Sequence, residues 1–215
     1  MQLLGKNRVA VVFLIGMAAF TSAQEIIDRI VARVDTDIIL LSDVRTLARC
    51  QTLIDEKAES DALILDHLID QWIVRNEAKA ALYPQPSKEE VQRSLERLKR
   101  AFSSPEEFEE RRKQAGVSEG ELEGILRSQL YFSNYLDSRF RASIQIDDKD
   151  IEAFYKERVV PRAESRGQTP PTLDAARGFI EEVLVQRAIN VQADQWLKES
   201  RARLRVEKLL GETPK

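Results

Sequence analysis

Residues 25–44 read EIIDRIVARVDTDIILLSDV, and this stretch decides the fold. Ile26, Ile27, Ile30, Val31 and Val34, then Ile38 and Ile39, are β-branched and suit a pleated, half-buried surface. The polar triplet Asp35-Thr36-Asp37 divides them, so the segment predicts two short strands around a turn, followed by a helix capped by Ser42 or Asp43. A lone two-stranded ribbon is marginal in water and needs a further strand or helices to cover it.

The residues upstream predict export. Lys6 and Arg8 form a basic start, Val9 to Phe20 is an apolar run, and Thr21-Ser22-Ala23 supplies the small residues of a cleavage site before Gln24. Twelve residues cannot span a bilayer, which needs about 20. A signal peptide over 1–23, cut after Ala23, is the expected reading, and an uncleaved anchor is its alternative. Cleavage leaves 192 residues and moves the net charge from −3 to −5, because the leader carries two positive charges and no negative ones. This mixed, mildly acidic balance lacks the clustered Lys and Arg of a nucleic-acid footprint. Cys50 has no partner for an internal disulfide and reads as a buried apolar side chain.

From Ser42 onward the chain is punctuated by helix starts. Leu63 to Tyr83 carries an apolar face of Ile64, Leu65, Leu68, Ile69 and Trp72, and Pro84 and Pro86 stop it. Ser87 with Glu90 predicts a capping box, and Val91, Leu95, Leu98 and Phe102 follow at helical spacing. Ser104-Pro105 starts the next helix, with Gly116 placed to end it in the left-handed conformation. Ser118 with Glu121 opens another, whose buried side is expected to hold Leu122, Ile125, Leu126, Ser133, Leu136 and Phe140. Asp147 begins a shorter helix with Ile151, Phe154 and Tyr155.

Residues 160–172, VPRAESRGQTPPT, are rich in proline and predict a turn or exposed linker. A long helix from Leu173 to about Arg201 follows, with Leu173, Ala176, Ile180, Val183, Leu184 and Val191 as its expected inner stripe. Leu204, Val206 and Leu209 alternate as in a strand, which is expected to pair with residues 26–34. The fold class is therefore mainly α, a multi-helix module with a small β ribbon that joins both ends of the chain.

Catalytic constellations are scarce. There is no phosphate-binding GxxxxGK[ST], and one histidine supplies neither a Ser/His/Asp relay nor a His-rich zinc site. Asp66, His67 and Asp70 form the best local cluster and read as a solvated polar face. The aromatic residues carry more: Tyr131 and Tyr135 lie four apart, off the stripe of Leu122, Leu126 and Leu136. Either their helix is central and packed on two sides, or the two rings line a groove for extended chains. Phe102, Phe108 and Phe132 share that ambiguity, with a stronger pull towards the core.

The segments RIVARVDTDIILLSDV, LILDHLIDQWIVRNEAKA, PSKEEVQRSLERLKRAF, SSPEEFEERRKQAGVSEGELEGILRSQLYFSNYLDSR and IQIDDKDIEAFYKER, in this order over residues 26–158, resemble the N-terminal chaperone module of the SurA family. FIEEVLVQRAINVQADQWLKESRARLRVEKL is similar to the helix and strand that return to that module. The resemblance implies a module of residues 24–159 completed by residues 173–215. It also implies an ATP-independent periplasmic holdase, without cofactor, for unfolded outer-membrane or exported proteins. Tyr131, Tyr135, Phe102, Phe108 and Phe132 are its candidate client-binding residues. Two departures stand out. Residues 160–172 occupy the place where relatives carry parvulin isomerase domains, so no isomerase is expected, and the turn at 35–37 lacks the usual Asn or Gly. An adaptor binding one folded partner is the alternative function, and a prolyl isomerase with an unrecognised site is another. Both a monomer and a homodimer are compatible with the sequence.

Overall fold

The computed structural model describes residues 28–211; the expected signal peptide, Ile26 and Ile27 lie outside them. The opening segment forms β1 (Ile30–Val34) and β2 (Asp37–Leu40), antiparallel, with a register irregularity between Ile30 and Ala32. The expected third strand is present as β3 (Val206–Lys208), which pairs antiparallel with β1 and gives the order β2-β1-β3. Arg33 lies opposite Glu207, and Val34 opposite Val206.

The acidic turn explains how this sheet closes. Asp35 takes a left-handed conformation, φ 52°, which Asp tolerates better than most residues. Its amide donates to the Arg205 carbonyl at 2.9 Å, and its carboxylate accepts from the Arg205 amide at 2.9 Å. Asp37 accepts a 2.7 Å hydrogen bond from the Trp72 indole. The turn thus fastens the last strand on one side and a core tryptophan on the other.

Helix α1 (Leu41–Asp55) starts earlier than the sequence predicts. Ser42 and Asp43 already lie inside it. Asp43 still caps, from the first turn: its carboxylate accepts from the Leu40 amide at 2.9 Å, while Asp28 accepts from the Ser42 amide at 3.2 Å. Helix α2 (Asp61–Ala80) is capped by Ser60 and buries Ile64, Leu65, Ile69, Trp72, Ile73, Val74 and Ala78. Its end is a Schellman turn, with Leu82 N–H donating to the Lys79 carbonyl and Tyr83 N–H to that of Ala78. The left-handed residue of that turn is Leu82, φ 54° and 90% exposed, where glycine is usual. Leu82→Gly is therefore expected to stabilise the fold by about 1 kcal/mol, read as a higher urea midpoint; an unchanged or lower midpoint would refute the strain argument.

Helices α3 (Lys88–Lys99), α4 (Pro105–Gln114) and α5 (Glu119–Phe140) start at Ser87, Ser104 and Ser118, with capping boxes at the first and third. Gly116, φ 65°, closes α4 as expected. Cys50 and Leu53 of α1, Val91 and Leu95 of α3, Phe108, Val117, and Leu122 and Leu126 of α5 form one core. Burial there pushes the Cys50 thiol up to about 11. The larger core joins β1, β2, α1, α2, the second half of α5 and the end of α8 (Leu173–Arg203).

Three expectations need correction. Ser133 is exposed, because α5 changes partners along its length and its second half turns Tyr131, Tyr135 and Leu136 inward. Val191 is 69% exposed, since α8 also changes partner: Ala176 and Ile180 pack near its start, whereas Ile189, Ala193, Trp196 and Leu197 enter the larger core. Residues 160–164 are helical rather than part of a linker. Helix α6 (Asp148–Phe154) runs through a π turn (Tyr155–Val159) into α7 (Val160–Glu164). The wider turn re-registers the hydrogen bonds just ahead of Pro161, whose ring lacks an amide proton and would clash with a regular α-helical turn. Gly167, φ 66°, then ends the rod, and the connection to α8 is confined to residues 168–172.

Candidate functional site

The five candidate aromatics do not form one surface. Tyr131 and Tyr135 are each 5% exposed and belong to the larger core. Tyr83 lies between them and α2, with ring centroids 6.0 Å from Tyr131 and 5.5 Å from Tyr135. The Tyr131 hydroxyl donates to the Tyr83 carbonyl at 3.3 Å, and the Tyr83 hydroxyl donates to the Asn134 carbonyl at 3.0 Å. Trp196 continues the cluster 6.4 Å from Tyr135, so the helix is packed on two sides. Phe108 is buried in the other core and Phe102 stacks edge-on against it at 5.2 Å. Phe132 borders a small cavity of about 90 Å³ between α2 and α5.

The polar cluster on α2 also has structural work. Arg201, near the end of α8, donates from Nε to Asp70 at 2.8 Å, from Nη1 to Asp66 at 2.8 Å and from Nη2 to the Asp66 carbonyl at 2.7 Å. Lys208 of β3 adds a 2.7 Å contact to Asp66. Burial works against the Asp66 carboxylate, but the hydrogen bonds from Lys208 and Arg201 outweigh it and hold its pKa below the ordinary value. At Asp70 burial prevails and pushes the carboxyl up, despite Arg201. His67 points elsewhere, with Nε2 3.0 Å from Glu59. Among the described residues no three His, Cys, Asp or Glu side chains gather as a metal site, and no helix is long and apolar enough to cross a membrane.

The open site lies elsewhere, between the rod α6–π–α7 and the first half of α8. Ile151, Ala176 and Ile180 fasten the two arms together at their base. Beyond that base they diverge around a groove of about 1090 Å³. Phe154, Val159, Pro161, Ala163, Ala176, Phe179 and Val183 give it an apolar lining, and Arg158, Arg162, Arg166 and Arg187 stand along it. Phe179 is 68% exposed, an unusual position for a phenylalanine on a helix that buries other residues well. The Arg187 guanidinium sits 4.8 Å from the Phe154 ring centre, a cation–π contact that holds this arginine over the apolar wall. The Tyr155 hydroxyl donates to the Pro171 carbonyl at 2.7 Å and ties the return segment to the rod.

The sequence did carry a trace of this groove. Arg158, Arg162 and Arg166 recur every four residues, as do Phe179, Val183 and Arg187. Of the first series Arg158 sits in the π turn, Arg162 in α7 and Arg166 in the turn that follows, so it comes together only once residues 155–164 are seen to form one rod. The fold and the groove together define a mainly helical protein, closed by a three-stranded clasp and bearing an open cleft of apolar and basic lining on a helical arm. Comparison with models of known protein families and with curated proteins finds no match to this chain.

Proposed function

We propose that this chain is a SurA-like, ATP-independent periplasmic holdase that binds unfolded outer-membrane or exported proteins, with residues 1–23 as its export signal. The observation that carries the reading is the open groove with Phe179 on its wall, a concave apolar surface edged by charge. An extended client would lay side chains along the wall, each contact contributing little, so binding needs no cofactor and release needs no fuel. The tyrosines of α5 serve as the packed backing of the module, and client contact falls to the arm.

Phe179→Asp tests this. Full burial of one phenylalanine contributes about 1.5–3 kcal/mol, so the variant should lose roughly ten- to a hundredfold in affinity for an aromatic-rich peptide. Its thermal midpoint should stay unchanged, because the ring is exposed in the free protein. In parallel, the wild type should suppress light scattering when a urea-unfolded β-barrel protein is diluted into buffer, and the variant should not. Absence of suppression by the wild type, or equal suppression by both, would refute the proposal; one tight folded partner and no peptide binding would favour an adaptor.

A further inference from the structure

The charge of the groove points to a class of client. Four arginines and a single glutamate, Glu157, line it, on a protein whose net charge is −3. The cleft is thus a basic island on an acidic molecule. All four cations are arginines, whose planar guanidinium can grip a carboxylate through two parallel hydrogen bonds and also lie flat on a ring. None of the four has an ion-pair partner among the described residues, in contrast to Arg141 and Arg201, which are each held by two carboxylates. Their pairing capacity faces the cleft and solvent, next to the exposed Phe179.

We infer that the groove selects extended polypeptide segments in which aromatic or large aliphatic side chains alternate with Asp or Glu. This rests on the groove being the client site. The apolar wall would take the hydrophobic residues, and Arg158, Arg162 and Arg166 along the rod would take the carboxylates between them. Their order supports the match: Arg158 in the π turn, Arg162 in α7 and Arg166 in the turn that follows stand in succession along the groove, as the carboxylates of an extended chain would. An anionic single-stranded nucleic acid could use arginines and a ring in a related way, but the wall's aliphatic part, Val159, Pro161, Ala163 and Val183, offers bases no stacking partner.

Three fluorescent peptides sharing one aromatic–aliphatic pattern, with Glu, Gln or Lys between, would be titrated against the purified protein, alongside an oligothymidylate of the same charge. The Glu peptide is expected to bind about tenfold more tightly than the Gln peptide at low salt, and the difference should vanish near 1 M salt. In the Arg162→Gln/Arg166→Gln double variant the Glu peptide should fall to the Gln level, while the Gln peptide stays within about twofold; both arginines are exposed, so folding is preserved. Equal binding of Glu and Gln peptides would overturn the charge inference and leave the groove as a client site. Binding of no peptide would overturn both, and tighter binding of the oligothymidylate would assign the arginines to nucleic acid instead.

Discussion

Trp196→Ala is expected to cost about 3–5 kcal/mol, the largest loss from any single side chain in the interface between α5 and α8. The indole is 9% exposed and has Tyr135 at 6.4 Å, Phe140 at 6.1 Å and the Arg139 guanidinium at 4.8 Å. The Tyr135 and Phe140 rings beside it are rigid and held by their own packing, so they fill little of the space it leaves. The polar links beside it, Gln186 to Asp137 and Glu182 to Arg141 just past the end of α5, are near the surface and cannot replace it. Urea denaturation followed by Trp72, the remaining tryptophan, would measure the loss. Val191→Ala, at an exposed site on the same helix, should stay within about 0.5 kcal/mol. A Trp196→Ala cost below about 1 kcal/mol would contradict the packing of α8 on α5.

Arg201→Met is expected to cost about 2–3 kcal/mol at neutral pH. It removes three hydrogen bonds at once and leaves Asp70 without its cation in a partly buried position. The remaining exposure of these groups moderates the cost relative to a fully buried pair. The pH dependence has a definite sign. Asp66 has a depressed pKa when folded, so its contribution is complete above its ordinary value of 3.8 and fades as pH falls through the folded value. Asp70 has a raised one, and without Arg201 it rises further, so protonation relieves the variant before it relieves the wild type. The stability gap between the two proteins should therefore narrow as pH falls from neutrality towards the ordinary aspartate value of 3.8. A gap that widens over this range would show that Asp70 is not the group left stranded.

Much of the fold was legible because its signals are local. Ser87 with Glu90 forms the predicted capping box and Ser118 with Glu121 opens α5 as expected, since a hydroxyl and a carboxylate three residues apart can satisfy the free amides of a first turn wherever the helix lies. The pairing of β3 with β1 was legible from alternation at both ends of the chain. Errors occurred where tertiary partners decide. A single wheel drawn for the 31 residues of α8 assumes one partner, but the helix lies first against α6 and then in the larger core, so the stripe shifts and Val191 falls outside it. On α5 the same change of partner decides between the two readings left open for Tyr131 and Tyr135, in favour of a helix packed on two sides. Proline at 161 masked α7 because its usual effect is to end a helix, and the preceding π turn absorbs it here. The groove was hidden in part by that same error, since Arg162 and Arg166 lie within the expected linker, whereas Arg158 and Arg187 lie on either side of it.

The clasp has a consequence for the order of assembly. Arg33 and Glu207 face each other across 174 positions of chain, whereas β1 meets β2 within a hairpin. A polypeptide emerging from its N-terminal end can form the hairpin and the helices early. One edge of β1 nevertheless stays without hydrogen-bond partners until residue 206 arrives, and contacts of such long separation form late. During that interval the nascent chain offers a bare strand edge, the feature most prone to recruit a neighbour's backbone. Arg33, outward on that edge and matched by Glu207 at 3.2 Å once β3 docks, places a charge where a premature apolar partner would have to sit. The latest-made strand is thus the one that seals the earliest.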